Sequence, residues 1–134
     1  MVRPKVLMID DDSDHLTICR LGLVKAGFEF CAVDHIADFD ELTETIANFF
    51  PDIIFVDHEM PNFKGNQVIT RLRSETLTAA LPIIYFSGND NLPELARSTG
   101  ADGFLRKPFN LHHLIDLIND FLERRTDSEE RATA

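Results

Sequence analysis

Short runs of apolar residues alternate along this chain with longer segments in which apolar residues recur every three or four positions. Such alternation is typical of βαβ units, in which helices cover both faces of a parallel sheet. The pattern predicts strands over residues 5–10, 28–33, 52–57, 82–86 and 103–105. It predicts helices over residues 13–26, 38–49, 65–75, 91–98 and 111–124. We therefore expect an α/β fold with a five-stranded parallel sheet and five helices.

The predicted strands differ in how apolar they are. The first, third and fourth are continuously apolar, as strands buried on both faces should be, so we expect them at the centre of the sheet. The second carries Glu29, a charged residue that is better tolerated near an edge. These differences predict which strands are central before any pairing is known.

Residues with special backbone properties mark the ends of the helices. Asp12 and Ser13 can cap the first helix, and Gly27 can adopt a left-handed conformation after it. Pro51 ends the second helix and Gly100 the fourth. Residues 125–134 show no apolar periodicity. We therefore expect one domain over residues 1–124, followed by a flexible C-terminal tail.

The composition excludes several classes of partner. A formal net charge of −10 and an isoelectric point near 4.8 disfavour nonspecific attraction to nucleic acid or to an anionic membrane. No apolar run approaches the roughly 18 residues needed to span a bilayer, and the N-terminus lacks a signal-peptide pattern. The sequence therefore predicts a cytoplasmic protein that binds neither nucleic acid nor membrane.

The cysteines and histidines give no sign of a metal or redox site. Cys19 and Cys31 lack CxxC spacing and are expected to be reduced, buried apolar residues. The histidines show no chelating spacing, because the two that are adjacent on a helix point in different directions and the others lie far apart. We expect solvated or capping roles for all five: His15, His35, His58, His112 and His113.

Charged side chains lie at or just past the ends of three of the predicted strands. Asp10 and Asp11 follow the first strand, Asp57 ends the third, and Lys107 lies just past the fifth. The carboxyl ends of neighbouring parallel strands converge on one crevice, which is where open α/β sheets bind ligands. Because Mg²⁺ prefers oxygen ligands, the acids suggest a magnesium site with Asp11 and Asp57 as direct ligands and Asp10 acting directly or through water.

Each of these residues also has a purely structural interpretation. The acidic run from residue 10 to residue 14 is more often a solvated helix start, and a lone aspartate such as Asp57 often forms a turn. The functional hypothesis is that Asp57 attacks phosphorus and forms an aspartyl phosphate, with its charge balanced by a cation. Lys107, extended because it precedes Pro108, can then bind a phosphoryl oxygen. Ser87, after the fourth strand, supplies a hydroxyl or simply forms a turn.

Four segments in order, residues 6–12, 51–61, 83–88 and 100–109, carry a specific resemblance. They read VLMIDDD, PDIIFVDHEMP, IIYFSG and GADGFLRKPF. Together they resemble the receiver domain of two-component response regulators, and the match extends from about residue 5 to residue 124. The resemblance implies a flavodoxin-like, doubly wound sheet with strand order 2-1-3-4-5.

The resemblance also implies a role for each site residue. Asp57 would be the phosphoacceptor, and Mg²⁺ would be held by Asp10, Asp11, Asp57 and the backbone carbonyl of Glu59. Lys107 and Ser87 would contact the phosphoryl group. The Lys107–Pro108 peptide would be cis. On phosphorylation, Ser87 would swing toward the phosphoryl group and Phe104 would turn inward, remodelling the surface formed by the fourth helix, fifth strand and fifth helix.

Two positions differ in character from the rest of the motif. Phe104 occupies a position that is often tyrosine, so it can report the switch by packing but not by hydrogen bonding. Glu59, two residues after Asp57, places an acid near the expected phosphoryl group. We hypothesise that this acid repels the phosphoryl dianion or recruits a metal or water, altering the lifetime of the phosphorylated state.

The sequence thus predicts a single-domain response regulator that accepts phosphate on Asp57 from a histidine kinase or histidine phosphotransfer protein. It is expected to be a signalling domain rather than an enzyme, with weak self-phosphorylation and self-dephosphorylation, acting on an unknown output protein as a monomer or weak homodimer. One alternative is a receiver-like scaffold that works without phosphorylation. A less favoured one is an aspartyl-phosphate phosphohydrolase, for which Glu59 has the right spacing but the chain has no room for a cap.

Overall fold

The computed structural model describes residues 3–60, 63–88 and 92–133. Five strands and five helices alternate along them. The strands are β1 (Lys5–Ile9), β2 (Glu29–Val33), β3 (Ile53–Asp57), β4 (Ile83–Ser87) and β5 (Gly103–Arg106). The helices are α1 (Ser13–Lys25), α2 (Phe39–Phe49), α3 (Gly65–Ser74), α4 (Leu92–Thr99) and α5 (Leu111–Thr133). Asn91, the predicted first residue of the fourth helix, lies outside the described residues.

All five strands form one parallel sheet with the order β2-β1-β3-β4-β5. The predicted α/β fold and strand order are therefore confirmed. The three continuously apolar strands, β1, β3 and β4, are central, while the strand that carries Glu29 lies at an edge. In the central strands every residue from Val6 to Ile9, Ile53 to Asp57 and Ile83 to Ser87 is buried.

Two apolar cores lie on opposite faces of the sheet, because alternate strand residues point to opposite sides. One core packs the sheet against α1 and α5 through Leu16, Leu23, Leu114 and Ile118. The other packs it against α2 and α3 through a set of branched apolar residues: Leu42, Ile46, Val68, Ile69 and Leu72. Helix α4 lies against β4, β5 and α3. None of the described helices is both long enough and apolar enough to cross a membrane.

The helix ends follow the predicted signals. The Asp12 carboxylate accepts hydrogen bonds from the backbone N–H groups of Asp14 and His15 at the start of α1. Gly27 and Gly100 both have positive φ, as expected after helices α1 and α4. Phe50, the residue after α2, is in the left-handed region with φ 58° and directly precedes Pro51.

Helix α5 is longer than predicted. It continues to Thr133, whereas the loss of apolar periodicity predicted an end at Arg124 and a flexible tail beyond it. Residues 125–133 contain no Gly or Pro, and their Arg, Glu and Ala residues are good helix formers. Nothing in this segment breaks the backbone pattern, so the helix extends past the last residues of its apolar face.

Candidate functional site

Three carboxylates meet at the carboxyl edge of the sheet. Asp10 follows β1 and Asp57 ends β3, and the pairing of Ile9 with Val56 makes these two acids neighbours. One oxygen each from Asp10, Asp11 and Asp57 lies within 4.8 Å of the others. Asp10 and Asp57 are buried, whereas Asp11 is exposed, so the cluster opens to solvent on the Asp11 side. An all-oxygen donor set of this kind suits a hard cation such as Mg²⁺.

Both oxygens of the Asp57 carboxylate accept hydrogen bonds. Its Oδ1 accepts a hydrogen bond from the backbone N–H of Glu59 at 3.0 Å, and its Oδ2 accepts one from Lys107 Nζ at 3.1 Å. Burial and a hydrogen bond with Asp10 raise the pKa of Asp57 above its ordinary value, although the Glu59 amide and Lys107 oppose the shift. Burial and the neighbouring acid therefore make two negative charges on the Asp10–Asp57 pair unfavourable when no cation is bound.

The Asp10 carboxylate is fully buried and is held from two sides. Its Oδ1 accepts a hydrogen bond from the backbone N–H of Asp12 at 3.0 Å, and its Oδ2 accepts one from His15 Nδ1 at 2.6 Å. Burial alone raises the pKa of Asp10, but the hydrogen bonds from His15 and Asp57 outweigh it and bring the pKa below its usual range. The bond to Asp10 in turn raises the pKa of His15 to about 9.

Lys107 enters this cluster from the end of β5. The Lys107–Pro108 peptide is cis, as the resemblance implied, and the backbone N–H of Lys107 donates to the carbonyl of Ser87 at 2.9 Å. Lys107 Nζ lies 3.1 Å from Asp57 Oδ2, 3.7 Å from Asp10 Oδ2 and 4.9 Å from the centre of the Phe86 ring. A single ammonium group is thus shared by the two buried acids.

The other predicted site residues lie at different distances from the acids. Ser87 ends β4, is fully buried, and its Oγ donates to Glu59 Oε1 at 3.5 Å. Glu59 is itself exposed. Phe104 lies on β5 and is 45% exposed, on the opposite side of the strand from Leu105, which packs toward α5. The acids, Ser87, Glu59 and Lys107 thus lie near one another at the sheet edge, as the sequence predicted. Phe104 lies outside this cluster.

Two histidines have roles that the sequence did not indicate. The prediction of a solvated or capping role is wrong for His15, whose ring is bonded to Asp10, and for His58, whose Nδ1 is hydrogen-bonded to the hydroxyl of the buried Tyr85. His15 follows an acidic run at a spacing that also suits a solvated helix start, so only the tertiary structure identifies its partner. The His58–Tyr85 contact requires the β3–β4 register, which pairs Val56 with Tyr85.

The match to known proteins agrees with this geometry. Residues 6–119 match the response regulator receiver domain. The chain belongs to that family. Receiver domains are signalling modules of two-component systems, and they are generally signalling domains rather than enzymes.

The relatives described here differ in how much of their own length this chain covers. The receiver is 35% identical over 137 residues to the transcriptional regulatory protein PrrA of Mycobacterium tuberculosis, covering 97% of this chain and 56% of PrrA. The chain thus spans about half the length of the transcriptional regulators that it matches. It is 34% identical to protein PilG of Pseudomonas aeruginosa, covering 85% of this chain and 84% of PilG.

Solved receivers share the fold over nearly the whole chain. A CheY-like receiver domain protein from Methanospirillum hungatei superimposes with a TM-score of 0.82 at 22% identity, covering 95% of this chain and 99% of that one. The signal receiver domain of a response regulator from Bermanella marisrubri gives a TM-score of 0.78 at 28% identity, covering 90% and 99% of the two chains.

Proposed function

We propose that this receiver is a phosphorylation-controlled switch in which Asp57 accepts a phosphoryl group from a histidine kinase or histidine phosphotransfer protein in a Mg²⁺-dependent reaction. The observation that carries the proposal is the position of Asp57, buried at the end of β3 beside two further carboxylates and 3.1 Å from Lys107 Nζ. This arrangement supports the proposal because the reaction needs a nucleophile, acidic metal ligands and a cation for phosphoryl oxygens in one site.

The site residues divide the chemistry among them. An Asp57 carboxylate oxygen attacks phosphorus as the P–N bond of a phosphohistidine breaks, and the leaving imidazole nitrogen keeps the bonding electrons and takes a proton. Lys107 binds a phosphoryl oxygen and balances its charge, and Ser87 offers a hydroxyl donor. Mg²⁺ held by Asp10, Asp11, Asp57 and the Glu59 carbonyl would neutralise charge on the transferring group.

The output of this switch is proposed to be a change in the surface formed by α4, β5 and α5. The backbone carbonyl of Ser87, at the end of β4, accepts a hydrogen bond from the backbone N–H of Lys107, just after β5. Phe104 is exposed on β5. When Ser87 turns to a phosphoryl oxygen, space is released into which Phe104 can move, so a charge change in the site reaches the outer edge of the sheet. A partner protein, so far unidentified, would bind one of the two states.

Several finer properties belong to the same proposal. The domain would act in the cytoplasm as a monomer or weak homodimer, without binding nucleic acid itself. It would phosphorylate itself weakly from small phosphodonors and lose the phosphoryl group slowly. PrrA is a transcriptional regulatory protein, but that activity concerns a chain about twice as long and is not assigned to the receiver alone.

The decisive experiment is phosphorylation by phosphoramidate with and without Mg²⁺, followed by intact-protein and peptide mass spectrometry. We expect one added phosphoryl group on the peptide that contains Asp57, dependent on Mg²⁺ and absent from Asp57→Asn. An Asp34→Asn variant, changed at an exposed acid outside the cluster, should react like wild type. Lack of modification in wild type would favour a phosphorylation-independent scaffold, whereas continuous turnover of a phosphate ester would favour a phosphohydrolase.

A further inference from the structure

His15 occupies an unusual position for a helix residue next to an acidic cluster. It lies in the first turn of α1, and its Nδ1 is 2.6 Å from Asp10 Oδ2. Because an ionised carboxylate only accepts hydrogen bonds, Nδ1 carries the hydrogen and donates it. Together with the Asp12 N–H on the other oxygen, this bond fixes both oxygens of a fully buried carboxylate.

The His15 ring is itself held in place. Its Nε2 lies 3.7 Å from Cys19 Sγ, one helical turn further along α1. The ring meets Phe109 edge-on with 5.2 Å between centroids, and it lies 6.0 Å from the ring of Phe86. Phe109 is two residues beyond Lys107, and Phe86 directly precedes Ser87. His15 therefore contacts a metal-binding candidate and both segments that carry the phosphoryl contacts.

The position of Lys107 shows what the His15 contact makes possible. Lys107 Nζ is 3.1 Å from Asp57 but 3.7 Å from Asp10, so the ammonium favours Asp57. A buried carboxylate oxygen without a donor is costly, and the Asp12 N–H serves only Oδ1 of Asp10, so Oδ2 needs a donor of its own. His15 provides it. Without the Nδ1–H group, Asp10 Oδ2 would compete with Asp57 for the same ammonium.

From this division of partners we infer that His15 is a positioning residue for phosphoryl transfer: it satisfies Asp10 and thereby leaves Lys107 free to serve Asp57 and the incoming phosphoryl group. The inference rests on the proposed phosphorylation of Asp57 and assigns to that site a residue outside the acid, serine and lysine set. His15 acts through Asp10 and Lys107 and does not itself touch the phosphoryl group.

The test compares two kinds of His15 substitution. His15→Leu keeps apolar volume against Phe109 but removes the donor, whereas His15→Asn places an amide N–H close to the position of Nδ1. With phosphoramidate as donor and saturating Mg²⁺, we expect His15→Leu to react with Asp57 on the order of tenfold more slowly than wild type, as is usual when a partner of a ligating group is lost. His15→Asn should recover most of that loss.

Three controls make the outcome interpretable. His35→Leu changes an exposed histidine and should react at the wild-type rate. Circular dichroism reports whether each variant folds. If His15→Leu does not fold, His15→Met is used as the donor-free variant instead. The phosphoramidate concentration dependence should show a higher half-saturation point for the donor-free variant, since Lys107 binds the phosphoryl group less well when it is drawn to Asp10.

The possible failures are distinct. If wild type is not phosphorylated on Asp57, the proposed function itself is wrong. If wild type reacts and the donor-free variant reacts equally fast, His15 does not position the site. If His15→Asn is as slow as the donor-free variant, the ring acts only through packing and the inference is overturned.

Discussion

The residue whose charge most directly opposes the proposed chemistry is Glu59. Its Oε1 lies 3.5 Å from the hydroxyl of Ser87, so its carboxylate lies near the group that would contact a phosphoryl oxygen. A carboxylate here would repel the phosphoryl dianion and could orient a water molecule toward phosphorus. Both effects shorten the lifetime of the phosphorylated state.

Removing that charge should therefore slow dephosphorylation. We expect Glu59→Gln and Glu59→Asn to lengthen the phosphoryl lifetime about fivefold, equivalent to about 1 kcal/mol, the repulsion between two unit charges roughly 4 Å apart in water. The lifetime is measured by following phosphorylated protein after the donor is removed. Glu44→Gln, an exposed charge on α2, is the control. Equal lifetimes in wild type and both Glu59 variants would rule out the hypothesis.

Some of the site residues could be identified from the sequence, and others could not. Asp10, Asp57 and Lys107 were predicted because they directly follow apolar strands, and strand ends in a parallel sheet converge. His15 was not, because a helix residue finds its partner through tertiary packing. Tyr85 reads as one more apolar residue of β4, although its hydroxyl is bonded to His58.

At the scale of elements, the junction between β3 and α3 is tightly packed beside the site. A Cβ added at Gly65, the first residue of α3, would lie 2.4 Å from the carbonyl oxygen of Asp57 and 2.9 Å from the Cα of His58. Both are backbone atoms, so the helix or the strand end would have to move. Glycine at this position allows α3 to begin directly against Asp57, the proposed phosphoacceptor.

Gly65→Ala should consequently destabilise the fold by about 2 kcal/mol, within the usual range for overpacking a buried position. The free energy of unfolding in urea measures this effect. Gly88→Ala is a matched control, because among the described residues a Cβ there would meet only the Lys107 carbonyl oxygen, at 4.0 Å. Similar unfolding free energies for the two variants would contradict the packing argument.

The elements themselves were largely predictable, since hydrophobic periodicity and end signals agree along most of the chain. Apart from the end of α5, each observed boundary is within one residue of the predicted one. The end of α5 differs because apolar periodicity indicates where a helix packs, whereas helix propensity affects how far it continues. Residues 125–133 lose the first signal but keep the second.

For the molecule as a whole, the proposed binding of Mg²⁺ to the acid cluster would make stability depend on both the cation and the pH. Because the pKa of Asp57 is raised to about 7, the cation-free cluster takes up a proton as the pH falls below that value, and this proton must leave for a cation to bind. Acidification therefore opposes Mg²⁺ binding. Since a ligand that binds only the folded state stabilises it, Mg²⁺ should raise the melting temperature, and by more at high pH than at low pH.

We expect the Mg²⁺-induced rise in melting temperature to be larger at about pH 8 than at about pH 6, because at the lower pH the cation must displace a proton from the cluster. Asp11→Asn should abolish most of the rise at both values, and its exposed position makes the fold itself insensitive to the change. Asp34→Asn should respond like wild type. A rise that is the same at both pH values would show that no proton leaves the cluster when Mg²⁺ binds.

The positions of the site residues along the chain also fix the order in which the ribosome makes them. The central pair β1–β3 is complete once Asp57 has emerged, whereas Lys107 follows 50 residues later. While the chain is being made, both acids therefore exist before the lysine that balances their charge. His15, made five residues after Asp10, is a partner that is already present during that interval.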